Sequence, residues 1–259
     1  MPTIDEKRVY ADRSGSEVVL VATDLGVASV SVSADQIGRF GLAHRCTALD
    51  AAARAGEAAV ATDEGVVVTR DEDEFEDVGY ENAVAVGYGD ALYAADDSGT
   101  VAAYADGEWT ALGTVAGDVR AIDGDLVAAA DGVYRITGDD LTTAGLDDAR
   151  DVAAAGPYAA TGDGLYRLGN GWMDEVQRAT DAVAASADRA HAVVDGTLLE
   201  RDGDAWRELD TPVSGFVDAA HGRDAVYAAT DDGTLAVTVG DGWRSRDVGL
   251  RGVRAIAVP

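Results

Sequence analysis

Apolar residues in this chain come in short bursts, and no window sustains the rhythm of an amphipathic helix. Each burst is built from Ala, Val, Leu and Tyr, and a polar turn rich in Asp and Gly follows it. One stretch reads as bursts at 83–86, 92–95, 101–104 and 109–112, with Asp97 and Gly99 in one turn and Asp106-Gly107 in the next. The last full stretch repeats the plan at 216–219, 225–230, 234–239 and 243–248. Short β-prone runs punctuated by Gly and Asp are strand and hairpin signals. The pattern therefore predicts β-strands throughout and almost no helix.

The plan recurs. In most units the second strand ends in Ala-Thr-Asp or a close variant, and a glycine follows; these markers are Gly26, Gly65, Gly99, Gly132, Gly164, Gly196 and Gly233, 32 to 39 residues apart. A period of this length marks a repeat architecture. Seven units of four strands predict an all-β protein, a single seven-bladed β-propeller over residues 1–259. An aromatic opens the fourth strand of most units: Phe75, Trp109, Trp172, Trp206 and Trp243, with Leu141 in the fourth unit. All four tryptophans thus share one repeat position, where an aromatic wedge between neighbouring sheets is expected; a sugar-binding platform is the sharper but less economical reading.

The first unit lacks its first strand, because residues 17–22 match a second strand. Residues 253–258 match a first strand, with Val-Arg-Ala-Ile resembling residues 119–122. The C-terminal strand is therefore expected to close the first blade and remove open sheet edges. Residues 1–16 form an N-terminal extension, of which 3–13 have no assigned place.

Charge adds a second layer. The net charge is −28, from 48 Asp and Glu against 20 Lys and Arg, and Lys7 is the one lysine among those 20. A partner surface would not deplete lysine globally, so the composition reads as adaptation to molar salt, where the Debye length is about 3 Å and self-repulsion is screened. Such a surface argues against nucleic acid as a partner. The single cysteine, Cys46, excludes an intrachain disulfide and is expected to be buried and inert. No secretory apolar segment and no run long enough to cross a membrane as a helix is present, so a monomeric cytoplasmic protein without membrane contact is expected.

The turns Gly240-Asp241-Gly242-Trp243, Asp106-Gly107-Glu108-Trp109 and Gly169-Asn170-Gly171-Trp172 resemble degenerate Asp-box repeats. Those belong to sialidase-like and photosystem-assembly-factor-like propellers, where the Asp ties down a turn and the aromatic packs the blade. Over its whole length the chain is similar to a family of haloarchaeal β-propeller proteins. That resemblance implies fold and source, and it carries over no catalytic residues.

Three sets of residues are candidates for chemistry. Acidic residues sit on the second-to-third-strand turn of every unit: Asp24, Asp63, Asp97, Asp131, Asp163, Asp195 and Asp231, with Asp96 and Asp232 doubling two of them. A cation ring is one reading; turn chemistry, with Asp accepting from nearby backbone N–H groups, is the simpler one. Arg120, Arg150 and Arg254 occupy one position in the innermost strands, where the other units carry Thr47, Asn82, Asp181 and Gly215. They are expected at the channel mouth, with His44 and Arg45 on a nearby blade link. Guanidinium forks there would take a carboxylate or phosphate, or else pair with turn aspartates. The innermost strands are expected to hold Asp50, Asp123 and Asp218 as their only acids, too few for a hydrolase. His44, His191 and His221 fall at different template positions and are not expected to converge. No P-loop, dinucleotide fingerprint, zinc pattern or nucleophile elbow occurs, so neither a metal nor a cofactor is expected.

Together these features point to a non-catalytic interaction platform binding a protein or small anionic ligand at the channel-mouth face. The alternative is a sialidase- or lactonase-like hydrolase using the same face.

Overall fold

The computed structural model describes residues 16–71, 74–240 and 242–259. They form seven four-stranded antiparallel sheets around a central channel and contain no helix. The N-terminal residues 3–13 lie outside the described residues, and Ser16 already belongs to the first strand. Counting blades along the chain, the innermost strands are Ala48–Arg54, Ala83–Tyr88, Val119–Asp123, Ala149–Ala153, Thr180–Ala185 and Phe216–His221 for the second to seventh. The first blade takes its innermost strand from the C-terminus: Val253–Ala257 pairs with Ser16–Thr23, Val21 opposite Ile256. Ring closure is as the sequence pattern predicts.

The threonine three residues before a marker glycine has a local cause. Thr23, Thr62 and Thr161 are buried at the ends of second strands, and each hydroxyl donates to the carbonyl of the marker glycine three residues on, at 2.8, 2.8 and 3.0 Å. Each also accepts a backbone N–H two residues on. The glycine itself is required. Gly26 has φ +131°, and a Cβ there would overlap the carbonyl oxygen of His44, where the outermost strand of the blade passes into the link at Arg45.

The core lies between blades. Seven buried clusters each draw residues from two adjacent blades, so every junction in the ring has its own apolar filling. The outer-strand aromatics close those junctions. The indole N–H of Trp109 donates to the Val78 carbonyl, that of Trp172 to the Ala144 carbonyl and that of Trp206 to Glu175 Oε2, at 2.8, 2.8 and 3.0 Å. In each case the acceptor belongs to the preceding blade. A half-buried indole with its one donor satisfied is a wedge.

All seven innermost strands share one irregularity: a β-bulge against the second strand, after the first or second residue. The bulged residues are Leu49, Val84, Arg120, Arg150, Asp181, Val217 and Arg254. A bulge bends the strand and re-aims one side chain, and here it does so at the end of the strand where blade links arrive.

Candidate functional site

The central channel encloses a cavity of about 330 Å³. Its mouth, on the face of the blade links, is set by the bulges. Arg120, Arg150, Asp181 and Arg254 all reach it, while Leu49 and Val84 pack into inter-blade cores instead. This revises the sequence register. The bulge makes Leu49, Val84 and Val217 the counterparts of the arginines, in place of Thr47, Asn82 and Gly215.

The mouth arginines are paired with acids. Arg120 Nη1 donates to Asp148 Oδ1 at 2.7 Å and to the Ala149 carbonyl at 3.1 Å. Arg150 Nη1 donates to Asp181 Oδ1 at 2.6 Å, and its Nη2 lies 3.7 Å from Asp148 Oδ2. An alternating chain Arg120–Asp148–Arg150–Asp181 thus runs across three blades, and its first hydrogen bond holds the Asp148 carboxyl below the usual range. Arg254 pairs separately with Asp24 at 2.9 Å. His44 and Arg45 are not among the channel-lining residues. His44 ends the outermost strand of the first blade, and its ring stacks on Phe75, 5.0 Å between centroids, in the outermost strand of the second. Arg45 is exposed on the link that follows.

One step deeper stands a tier of carboxylates. Asp50, Asp151 and Asp218 each directly follow a bulge, and Asp123 lies further along its strand. The first three bond alike. Oδ1 accepts the next backbone N–H of its own strand, from Ala51, Val152 and Ala219, at 2.7–2.8 Å. Oδ2 accepts an N–H from the innermost strand of the following blade, from Val86, Val183 and Ile256, at 2.7–2.9 Å. Asp123 makes the same crossing to Ala154 N at 2.7 Å. These acids tie consecutive blades around the channel. Burial pushes Asp50 up to about 6 and Asp218 up to about 7, outweighing the two N–H donors each enjoys. Asp151 is raised well above its ordinary value by burial, with its neighbours Asp218 and Asp50 adding to the effect, and burial raises Asp123.

Three readings of the sequence are thereby corrected. Asp151 and Asp181 also lie in innermost strands, beyond the expected three acids. Two of the histidines do converge: at the far end of the channel His191 Nδ1 and His221 Nε2 are 2.9 Å apart, the rings edge to face. Burial lowers His191 to about 4 and His221 to about 3, the latter also disfavoured by its partner, so the pair is neutral. Neither register nor spacing signals this contact, which depends on how two neighbouring blades abut. Cys46 is half-buried, and its thiol is pushed up to about 11 by burial and by Asp63, so it is protonated at neutral pH. The turn acids act locally: Asp63 accepts Thr47 N at 2.7 Å and Asp96 accepts Ser98 N and Thr100 N, both at 2.9 Å. Among the described residues no group of three or more His, Cys, Asp or Glu is arranged to hold a metal ion.

Solved structures match this fold at low identity. The computationally designed Ika8 protein is 17% identical, with TM-score 0.62 over 93% of this chain and 91% of its own. YCF48 bound to D1 peptide is 17% identical, with TM-score 0.58 over 79% of this chain and 82% of its own. A chain of the nidogen/laminin complex is 8% identical, with TM-score 0.57 over 94% of this chain and 98% of its own. At these identities the likeness concerns the fold alone. No curated protein matches the sequence. One family matches nearly end to end, over residues 3–259, described as "Beta-prop_HVO_0234:-like, beta propeller". The chain, a ring of seven repeats, belongs to that HVO_0234-like β-propeller family.

Proposed function

We propose that this chain is a non-catalytic binding platform whose channel-mouth face takes the anionic group of a protein partner or small ligand. The observation that carries the reading is the placement of Arg120, Arg150 and Arg254 on β-bulges at the rim of one 330 Å³ cavity. Their present partners are exposed carboxylates, and exposed ion pairs contribute about 0–1 kcal/mol each. An incoming carboxylate or phosphate can exchange with such a partner at little cost, and each guanidinium offers five donors. The YCF48 structure with its bound D1 peptide and the nidogen/laminin complex lend the platform reading a precedent in this fold. The hydrolase reading is less well supported, because Asp50, Asp151 and Asp218 have both oxygens engaged by backbone N–H groups.

The test is capture from a native high-salt lysate, comparing the full chain with an Arg120→Ala/Arg150→Ala/Arg254→Ala variant of matched melting temperature. A stoichiometric partner lost from the variant is expected. Retention of that partner by the variant moves the surface elsewhere. If neither form retains a partner or a metabolite, the platform reading fails.

A further inference from the structure

On the face opposite the mouth, the fifth and sixth blades enclose a pocket of about 300 Å³. Its walls carry Arg167, Arg189 and Arg201, together with Ser186 and Tyr158. A chain of net charge −28 has placed three of its few cations around one small cavity. We propose that this pocket binds a phosphate group, carried by a small phosphate monoester or arriving as free phosphate.

The state of the three guanidiniums carries the argument. Arg201 is half-buried, its side chain 25% exposed, yet it donates no hydrogen bond. Its ion-pair partners are distant, Asp204 Oδ1 at 3.7 Å and Glu175 Oε2 at 3.8 Å, and its Nε is buried without a hydrogen-bond partner. Its outer nitrogens have no hydrogen-bond acceptor among the described residues, so an oxyanion in the pocket can take charge-assisted hydrogen bonds from them without displacing one. Arg189 donates to the backbone carbonyl of Gly222, with that of Arg223 at 3.4 Å, and forms no ion pair among the described residues. Its charge is therefore uncompensated at contact range.

Local acids do not cancel this surplus. Glu175, only 9% exposed, already takes Arg167 Nε at 2.7 Å and Trp206 Nε1 at 3.0 Å, so one carboxylate faces two guanidiniums. Asp188 accepts the Ser186 hydroxyl at 3.2 Å, and Asp204 is fully exposed, where a pair counts for little. A tetrahedral dianion uses several donors at once, which suits two arginine forks better than a single carboxylate would. The cavity lies at the small end of ligand pockets, about 300–1,000 Å³, and exceeds what a bare ion fills, which favours an organic phosphate. Short-range forks in a half-buried pocket also survive molar salt, which screens exposed charges beyond about 3 Å.

The test titrates inorganic phosphate and phenyl phosphate into the full chain in 2 M potassium chloride, read by calorimetry and by the side-chain ¹⁵Nε resonances of the arginines. Saturable binding is expected for phenyl phosphate, or for both probes if free phosphate is the natural ligand, with the Arg201 resonance shifting. Arg201→Met and Arg189→Gln should each weaken binding about tenfold or more. Arg201→Lys, which keeps the charge and loses the fork, should weaken it several-fold, and it serves as the probe if Arg201→Met does not fold. The triple alanine variant of the mouth should bind as the wild type does, which separates this site from the platform face. Absence of saturable binding for both probes, binding indifferent to the Arg189 and Arg201 substitutions, or loss in the mouth variant alone would each overturn the proposal.

Discussion

At the scale of single residues, the channel aspartates pose a contest between two opposed forces. Asp218 accepts two backbone N–H groups, which favours the carboxylate, and it is surrounded by protein with no cation in contact, which favours the acid. Burial wins, and the folded-state value stands near 7 against an ordinary 3.8. A group raised in the folded state stabilises the fold fully below its unfolded value and loses that contribution as pH rises through its folded value. His191 and His221 work the other way: their folded values are lowered, so they oppose folding once pH falls below the ordinary 6.5. Between pH 8 and 6.5 the two effects overlap and oppose each other, so the aspartate is read as a difference between wild type and Asp218→Asn at constant molar salt. Over that range the wild type should gain about 1 kcal/mol, or about 2–4 °C in Tm, relative to the variant, as Asp218 takes up its proton. The same pH slope in both proteins would show that the backbone donors dominate after all.

At the scale of strands and links, the marker glycines are the most informative elements. Gly26 and Gly107 both have positive φ, +131° and +85°, yet a side chain at Gly107 meets open space while one at Gly26 meets the His44 carbonyl. Gly107→Ala should cost about 1 kcal/mol from backbone strain, and Gly26→Ala about 3 kcal/mol or more because the blade link must also move. Equal costs in denaturant titrations at fixed salt would mean the link is loose. The same elements explain what the sequence made legible. The Asp-bearing turn before the marker glycine and the fourth-strand aromatic recur because each does one local job in most blades, so they could be counted. The bulge could not. A strand alternates faces with period two, so placing Thr47 where Leu49 belongs, or Gly215 for Val217, shifts the register by two and leaves the hydrophobic pattern intact. Asp151 escaped notice for a related reason, since it follows Arg150 and its equivalence with Asp50 and Asp218 emerges only once the bulges are aligned. The His191–His221 contact and the Arg167–Arg189–Arg201 pocket join neighbouring blades, and no single repeat contains either.

At the scale of the whole molecule, the ring is one closed object whose seam joins the ends of the chain. Four features meet there. Strand Val253–Ala257 pairs with Ser16–Thr23. The junction of the seventh and first blades holds Tyr227, Leu235, Val237 and Ile256 in one buried cluster with Val19, Val21 and Val30. Glu17 accepts the Tyr227 hydroxyl at 2.7 Å and the Arg223 N–H at 2.5 Å, and Asp218 reaches Ile256 N at 2.7 Å. Removing residues 253–259 deletes two of the four, strips Val253 and Ile256 from a third, and exposes the second strand of the first blade as an edge. The truncated chain should lose its cooperative transition or aggregate on size-exclusion chromatography. Milder variants grade the same seam. Ile256→Ala should cost about 2–4 kcal/mol through the cavity it leaves. Glu17→Gln should cost about 1–3 kcal/mol, because an amide cannot accept from both partners as the carboxylate does. Glu17 holds the hydroxyl of Tyr227, and Tyr227 shares a buried cluster with Ile256, so the double variant should depart from additivity by about 0.5 kcal/mol or more. A truncated chain that stays monomeric and unfolds in one step at nearly the parental denaturant midpoint would mean that the other six junctions hold the ring without its seam.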